Sequence, residues 1–383
     1  MTTANQAKNG KTKDPVLVVV QLSGGNDFMN TVIPFTEGIY YDNRPLVGIS
    51  EDKVLPFTET LAWHPSAAGF KRIYEQGKMA IVQGVGLENA SRSHFRAMDI
   101  WHTCEPDKLG TEGWLGRATK DIDPNKENVL TTVSFGAALF RALVMPGVPV
   151  ACVDDLDSYG LLPGITEQAQ RTKILSRFER LYSPVMGSSA VMDYMGQTGL
   201  DTLEGADILK EAPKMYSSTI EYPDTSIAAK LKGISQIHQA GFGTRVLYCD
   251  HGSFDSHSNQ IGMHDKLWKD VSEAVECFFD DLKEHDAADN VVMLMFTEFG
   301  RRVHDNGSGT DHGAGGAAFV IGDAVKGGQY SEFPSLEANQ LEQGDVVPNH
   351  DFRSIYSVLL EDWMGLDAKP IVEGSFEKLP FLG

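Results

Sequence analysis

"PVLVVVQLSGGNDF", residues 15–28, decides the fold. After the proline comes a run of aliphatic, mostly β-branched residues with little polar alternation. That is the pattern of a strand covered on both faces, as in a parallel sheet. The run ends in Ser-Gly-Gly-Asn-Asp, a turn at the strand's carboxyl end. "MAIVQGVG" (79–86), "TRVLYCD" (244–250), "NVVMLMFTEFG" (290–300) and "GAAFVIG" (316–322) repeat the pattern: a short apolar run, then a polar or glycine turn.

Helical patterns lie between these runs. They are "SAAGFKRIYEQG" (66–77), "SHFRAMDIWHT" (93–103), "HDKLWKDVSEAVECFFDDLKEH" (264–285) and "DFRSIYSVLLEDWMG" (351–365). The third places Leu267, Val271, Val275, Phe278 and Leu282 at three-to-four spacing, with acids and lysines between. Strands alternating with helices predict an α/β fold, a doubly wound and mostly parallel sheet flanked by helices. Residues 168–240 read as a mainly helical insertion with no buried strand run. Residues 1–14 read as a disordered tail, and 15–383 as a single α/β domain carrying that insertion.

The chain has 383 residues and a formal net charge of −20. This balance argues against nucleic acid and against an anionic membrane surface as partners, but not against a small anionic ester held by a local cation. The four cysteines form no C-x-x-C pair, so neither a disulfide scaffold nor a thiolate zinc site is expected. No stretch has the length of a membrane span. "MTTANQAKNGKTKDP" is polar, with no apolar core and no twin arginine, and reads as the start of a cytoplasmic chain.

In open α/β sheets, ligands gather beyond the carboxyl ends of the strands. The polar punctuation of this chain collects there. Asp27 follows the first strand, Asp250 ends 244–250, and His251, Asp255 and His257 follow it. Thr297 and Glu298 end the next strand, and Asp311 and His312 sit in the glycine-rich "NGSGTDHGAGG" (306–316). Mixed Asp, Glu and His side chains suit a divalent metal: zinc, manganese, iron, magnesium or calcium. For each there is also a plain structural reading. Asp27 fits a turn, Asp255 and His257 fit a hydrogen-bonded loop, and Arg301 with Arg302 would neutralise Glu298. His64, His238, His264 and His285 read as packing or surface histidines.

"NASRSHFRAMDIWHT" (89–103) offers a nucleophile. A serine at a helix start, Ser93 or alternatively Ser91, has free backbone N–H groups and the positive dipole end beside it. His94 is its neighbour and a candidate catalytic group. No G-x-S-x-G elbow, Walker loop or strand-linked G-x-G-x-x-G occurs, which sets aside serine-triad and nucleotide-cofactor chemistry.

Together, "VVVQLSGGNDFMNTVIP", "SRSHFRAMDIWHT", "GSFDSHSNQ", "TEFGRRVHDNGSGTDHG" and "DFRSIYSVLLEDWMG" resemble the domain of unknown function 1501 family, of the alkaline-phosphatase and arylsulfatase superfamily. The resemblance runs from about residue 15 to about 367. It implies an alkaline-phosphatase-like α/β fold with metal at the strand ends. Asp27 would bind metal, Ser93 would be the nucleophile, and Asp255 with His257 would hold one ion. His312 matches the last superfamily histidine, with Asp311 beside it. Glu298-Phe299 stands where phosphatases carry Asp-His, one imidazole fewer. No C-x-P-S-R sulfatase signature is present. Family members often carry a twin-arginine export signal, which sets a periplasmic site against the cytoplasmic reading.

The reading reached is a metal-dependent hydrolase of phosphate or sulfate esters. Metal would be held by Asp27, Asp255, His257, Glu298, Asp311 and His312. Ser93 would attack, His94 would stand beside it, and Arg301, with Arg92, would orient the anion. The rivals are a non-catalytic metal-binding or assembly module on the same fold, and a phosphomutase-like transferase. Of the two Asp-His-Gly triplets, the first (Asp250, His251) is expected to stand outside the site.

Overall fold

The computed structural model describes residues 13–156 and 204–383, with single positions between them at 170, 173, 174, 176, 177, 180, 197, 201 and 202. The expected tail at 1–14 lies outside the described residues except for Lys13 and Asp14. Most of the expected insertion at 168–240 lies outside them as well; its described remainder contains the helices Ala212–Met215 and Ser226–Ala240.

The core is a nine-stranded sheet. Its strands are β1 (Val16–Leu22), β2 (Met79–Gly86), β3 (Thr132–Phe135), β4 (Ala151–Val153) and β5 (Val246–His251). β6 (Val291–Phe296), β7 (Gly316–Gly322), β8 (Gly328–Gln329) and β9 (His350–Asp351) complete it. The spatial order is β8-β2-β7-β6-β1-β5-β3-β4, with β9 also on β2. β1 is central and parallel to both neighbours, with Gln21 level with Asp250 on one side and Phe296 on the other.

Every residue of β1 is buried, Gln21 included, as the nearly continuous apolar run predicted. Successive side chains point to opposite faces. Val18, Val20 and Leu22 enter one core with Phe70, Ile234 and Trp268, beneath the helices Ala68–Glu75, Ser226–Ala240 and Gln260–Glu284. Leu17 and Val19 enter the other with Trp101, Trp114 and Tyr356, beneath the helices His94–Thr103, Trp114–Ile122 and Arg353–Val358. Each large apolar side chain buried this way contributes about 1.5–3 kcal/mol of transfer free energy. The sheet is therefore doubly wound.

One strand runs against the rest. β7 pairs antiparallel with both β2 and β6. Its amino end therefore lies at the edge where the parallel strands have their carboxyl ends. Residues that precede β7 meet residues that follow β1, β5 and β6. The glycine-rich stretch before β7 is also more ordered than its composition suggests. Arg301–Asp305 and Thr310–His312 pair antiparallel, with Arg301 opposite His312.

Candidate metal centre

Two glycines let the segments close on one another. A Cβ on Gly24, whose φ is +123°, would lie 2.4 Å from the backbone nitrogen of Asp255. A Cβ on Gly309 would lie 2.1 Å from the carbonyl oxygen of Ser256. Any larger residue would hold apart the turn after β1, the loop after β5 and the 301–312 hairpin.

Where these segments meet, four side chains converge. The Asp255 Oδ1 atom lies 3.1 Å from Nε2 of His257 and 3.1 Å from Nε2 of His312. Those two nitrogens are 2.9 Å apart. Nε2 of His94 faces Asp255 Oδ2 at 3.5 Å; it is buried and has no hydrogen-bond partner.

The other ring nitrogens decide what these atoms offer. His312 Nδ1 lies 2.7 Å from the Arg92 carbonyl oxygen, which can only accept, so Nδ1 carries the hydrogen. His257 Nδ1 faces Asp311 Oδ1 at 2.9 Å, and His94 Nδ1 faces Glu298 Oε1 at 2.8 Å. Tautomers assigned from these acceptors leave all three Nε2 atoms as lone pairs. The lone pairs of His257 and His312 then face a carboxylate oxygen and each other at contact distance, and that of His94 faces the second oxygen of the same carboxylate. Such an arrangement is repulsive until a cation or protons lie among them. An imidazole whose far N–H is held by a carboxylate or carbonyl is the usual arrangement of a metal-bound histidine. With bonds of about 2.0–2.1 Å to zinc, neighbouring ligand atoms stand about 3.0–3.4 Å apart, and the measured separations of 2.9–3.5 Å match. The residues fit a divalent ion.

Charge around the group is consistent with this. Burial pushes the Asp255 carboxyl up, but the hydrogen bond and positive charge of Arg301 help hold its pKa at about 2. The hydrogen bond to Glu298 raises the pKa of His94.

The structure places the expected site residues in different roles. Asp255, His257 and His312 come together, and His94 joins them from the first turn of its helix. Glu298 lies behind His94: its carboxylate accepts from Gly24 N–H, the Thr297 hydroxyl and the imidazole. Asp311 lies behind His257 and also accepts from the Asn306 amide. The carboxylates of both thus meet imidazole N–H groups rather than the lone pairs. Asp27 is elsewhere. Its carboxylate is fully buried in an ion pair with Arg44, at 2.5 and 3.0 Å, and is closed by the Gln260 amide at 2.5 Å. Arg301 is not free to grip an anion. Its guanidinium is fully buried and donates to the carbonyls of Gly24, Gly25, Phe254 and Thr310 and to Asp255. It positions Asp255. Arg92 donates to Asp345.

Ser93 is exposed at the N-cap of the helix His94–Thr103, and its side chain makes no capping bond. The Ser91 hydroxyl accepts the Ser93 N–H at 3.2 Å. Asp250 pairs with Lys230 at 2.6 Å, so the first Asp-His-Gly triplet stands apart from the cluster. Phe299 packs its ring against His94 and His312, with centroids at 4.8 and 4.9 Å. Arg44 and Gln260 carried no sequence signal, because their roles lie in partners brought to them by the fold: Asp27 for both, with the Val303 and Arg302 carbonyls for Arg44 and the Thr310 hydroxyl for Gln260. The Arg92 carbonyl is backbone, which no residue type announces.

A family model matches residues 171–370, more than half of the chain, and that span carries Asp255, His257, Glu298, Asp311 and His312. The chain belongs to the DUF1501 family. Its members are described as proteins of unknown function. No curated protein matches this DUF1501 chain. Among solved structures it is similar to the PsFucS1 sulfatase from Pseudoalteromonas, at 11% identity and a TM-score of 0.43, over 97% of this chain and 72% of that one. It is also similar to Ps i-CgsB in complex with a neocarrahexaose, at 9% identity and a TM-score of 0.40, over 95% and 73% of the two chains. A third is the zinc complex of the periplasmic domain of EcEptC from Escherichia coli, at 8% identity and a TM-score of 0.38, over 81% and 74%. Likenesses this distant carry no functional weight. No helix among the described residues is long and apolar enough to cross a membrane.

Proposed function

We propose that this DUF1501 protein is a hydrolase of phosphate or sulfate esters that works with one divalent cation. The observation that carries the reading is the convergence of three imidazole lone pairs on Asp255, each imidazole held from behind by an oxygen acceptor. Asp255, His257 and His312 would hold the ion, with His94 completing the set. A set rich in nitrogen suits zinc or iron better than manganese, magnesium or calcium, which prefer oxygen. When bound, the ion supplies positive charge that polarises the ester and stabilises charge developing on its oxygens.

The chain's own residues supply the rest. Ser93 presents an uncommitted hydroxyl at the amino end of a ten-residue helix. The N–H groups and dipole there favour an anion. The serine oxygen would bond to phosphorus or sulfur as the bond to the alcohol oxygen breaks, its proton passing to the departing alcohol; water would then add to phosphorus or sulfur, release the acid and return a proton to the serine. Arg301 keeps Asp255 ionised and in place. Phe299 closes one side of the imidazole cluster with an apolar ring.

The test is turnover of a panel of aryl and alkyl phosphates and sulfates by metal-loaded protein. Ser93→Ala should abolish turnover and leave metal content unchanged. If the wild-type protein cleaves no member of the panel, the hydrolase reading fails. The second reading, a cation-holding module without catalysis, is favoured by one observation: the guanidinium groups of Arg92 and Arg301 are both engaged with protein acceptors.

A further inference from the structure

The segment 216–222 joins the helix Ala212–Met215 to the helix Ser226–Ala240 and contains no helix or strand of its own. Its polar groups are taken up by one turn at the carboxyl end of the helix Gln260–Glu284. The hydroxyls of Tyr216 and Tyr222 both donate to Asp281 Oδ2 at 2.9 Å, where the Ser235 hydroxyl joins them at 2.7 Å. Glu284 accepts from the hydroxyls of Ser218 and Thr219 at 2.8 and 2.9 Å, and from the Thr219 N–H at 3.1 Å. His285, the residue that ends the helix, completes the row. Its Nε2 lies 2.6 Å from the Ser217 carbonyl oxygen and its Nδ1 2.8 Å from the Asp281 carbonyl oxygen.

Both partners of this ring are carbonyl oxygens, which only accept. A neutral imidazole has a single N–H, so one lone pair would face an oxygen at contact distance. The imidazolium donates from both nitrogens and leaves neither carbonyl unmet. The ring is thus the reverse of those in the metal centre: it offers no lone pair. Its surroundings favour the charge. The hydrogen bond to the Asp281 carbonyl, then that to Ser217, then the Asp281 and Glu284 carboxylates raise its pKa above the ordinary 6.5. The negative end of the helix dipole acts in the same direction. Tyr216 faces the ring from the segment, with centroids 6.3 Å apart, and Lys13, Asp14, His238, Arg245 and Asp286 share the hollow beside it. The near groups are displaced from this pH range. Burial raises the Asp281 carboxyl, but hydrogen bonds from Ser235 and the tyrosines hold it low, and Ser218 and Thr219 hold Glu284 low. Burial raises the phenols of Tyr216 and Tyr222 and lowers His238.

We infer that His285 is a pH-dependent clasp: as an imidazolium it fastens the segment 216–222 to the helix Gln260–Glu284 through the Ser217 carbonyl, and it lets go when it loses a proton. A group whose pKa is raised by folding contributes fully below its unfolded value and loses the contribution as pH rises through the folded one. The clasp is therefore closed below about pH 6.5 and opens above it. The test is amide hydrogen exchange on the whole chain between about pH 5.5 and 9, each rate divided by the intrinsic rate at that pH. Protection of the Thr219 amide should fall about 10-fold across the range, as loss of a hydrogen bond from a charged donor does, while the amides of β1 do not follow. His285→Gln, which cannot be charged, should show the lower protection at every pH. The His285 ring of the wild-type protein, followed by its own proton resonances, should titrate above 6.5. A ring that titrates at or below 6.5, Thr219 protection that stays flat, or an equal fall in His285→Gln overturns the clasp.

Discussion

Replacing Asp311 by alanine separates the two roles an acidic residue can have at this centre. The sequence pattern makes Asp311 a ligand. The structure puts its Oδ1 at 2.9 Å from the Nδ1–H of His257, whose Nε2 is the atom facing Asp255 and His312. If Asp311 orients and polarises the imidazole, losing it costs about 10- to 100-fold in cation affinity, which is about 1.4–2.8 kcal/mol. The side chain is 54% exposed, so stability of the metal-free protein should change by no more than about 0.5 kcal/mol. The assay is titration of metal-free protein with zinc against a chromophoric chelator, with denaturant unfolding as the control. His257→Ala should cost more, because it removes a ligand. In the His257→Ala background, Asp311→Ala should then cost almost nothing, because its effect passes through that ring. The reasoning is refuted if Asp311→Ala alone costs as much as His257→Ala, if it costs nothing, or if the two effects add.

Arg44→Met should destabilise the protein by about 3–5 kcal/mol in denaturant unfolding, because it leaves the fully buried Asp27 carboxylate unpaired; Asp27→Leu with Arg44→Met should recover much of that, and a loss below about 1 kcal/mol for the single variant would contradict the buried pair. The pH dependence of stability follows from three buried histidines. Burial lowers the pKa of His64 to about 4 and those of His102 and His264 to about 3, against 6.5 unfolded. The unfolded chain then binds more protons between those values, so stability should be full above about pH 6.5 and fall steadily as pH drops toward 3. Unfolding free energies that stay flat from pH 6.5 to 4.5 would refute it.

Much of the fold was legible because burial on both faces leaves a local mark. β1, β2, β5 and β6 are mainly apolar runs, and the helix Gln260–Glu284 carries its apolar residues at helical spacing. Strand direction leaves no such mark. "GAAFVIG" reads the same whether β7 is parallel or antiparallel, yet only the antiparallel course brings Asp311 and His312 to the edge where Asp255 and His257 lie. The site was legible as residue types collected at turns, without the division of labour among them. Asp27, Glu298 and Asp311 look alike as acids after strands. One is closed by Arg44, a partner 17 positions away, and the other two hold imidazole N–H groups.

By itself the sequence determined β1, β2, β5, β6 and β7, four of the helices between the strands and the clustering of Asp and His at the strand ends. Periodicity, glycine and turn chemistry act over a few residues, so they can be read along the chain. Only the tertiary structure decided which ring nitrogen of each histidine points inward, that Arg301 and Arg44 are consumed by protein acceptors, and that His285 reaches the Ser217 carbonyl. Each of these depends on which atom, from a segment 17 to more than 200 residues away, comes within about 3 Å. Hydrogen bonds and lone pairs are directional at that distance, and residue type alone carries no direction.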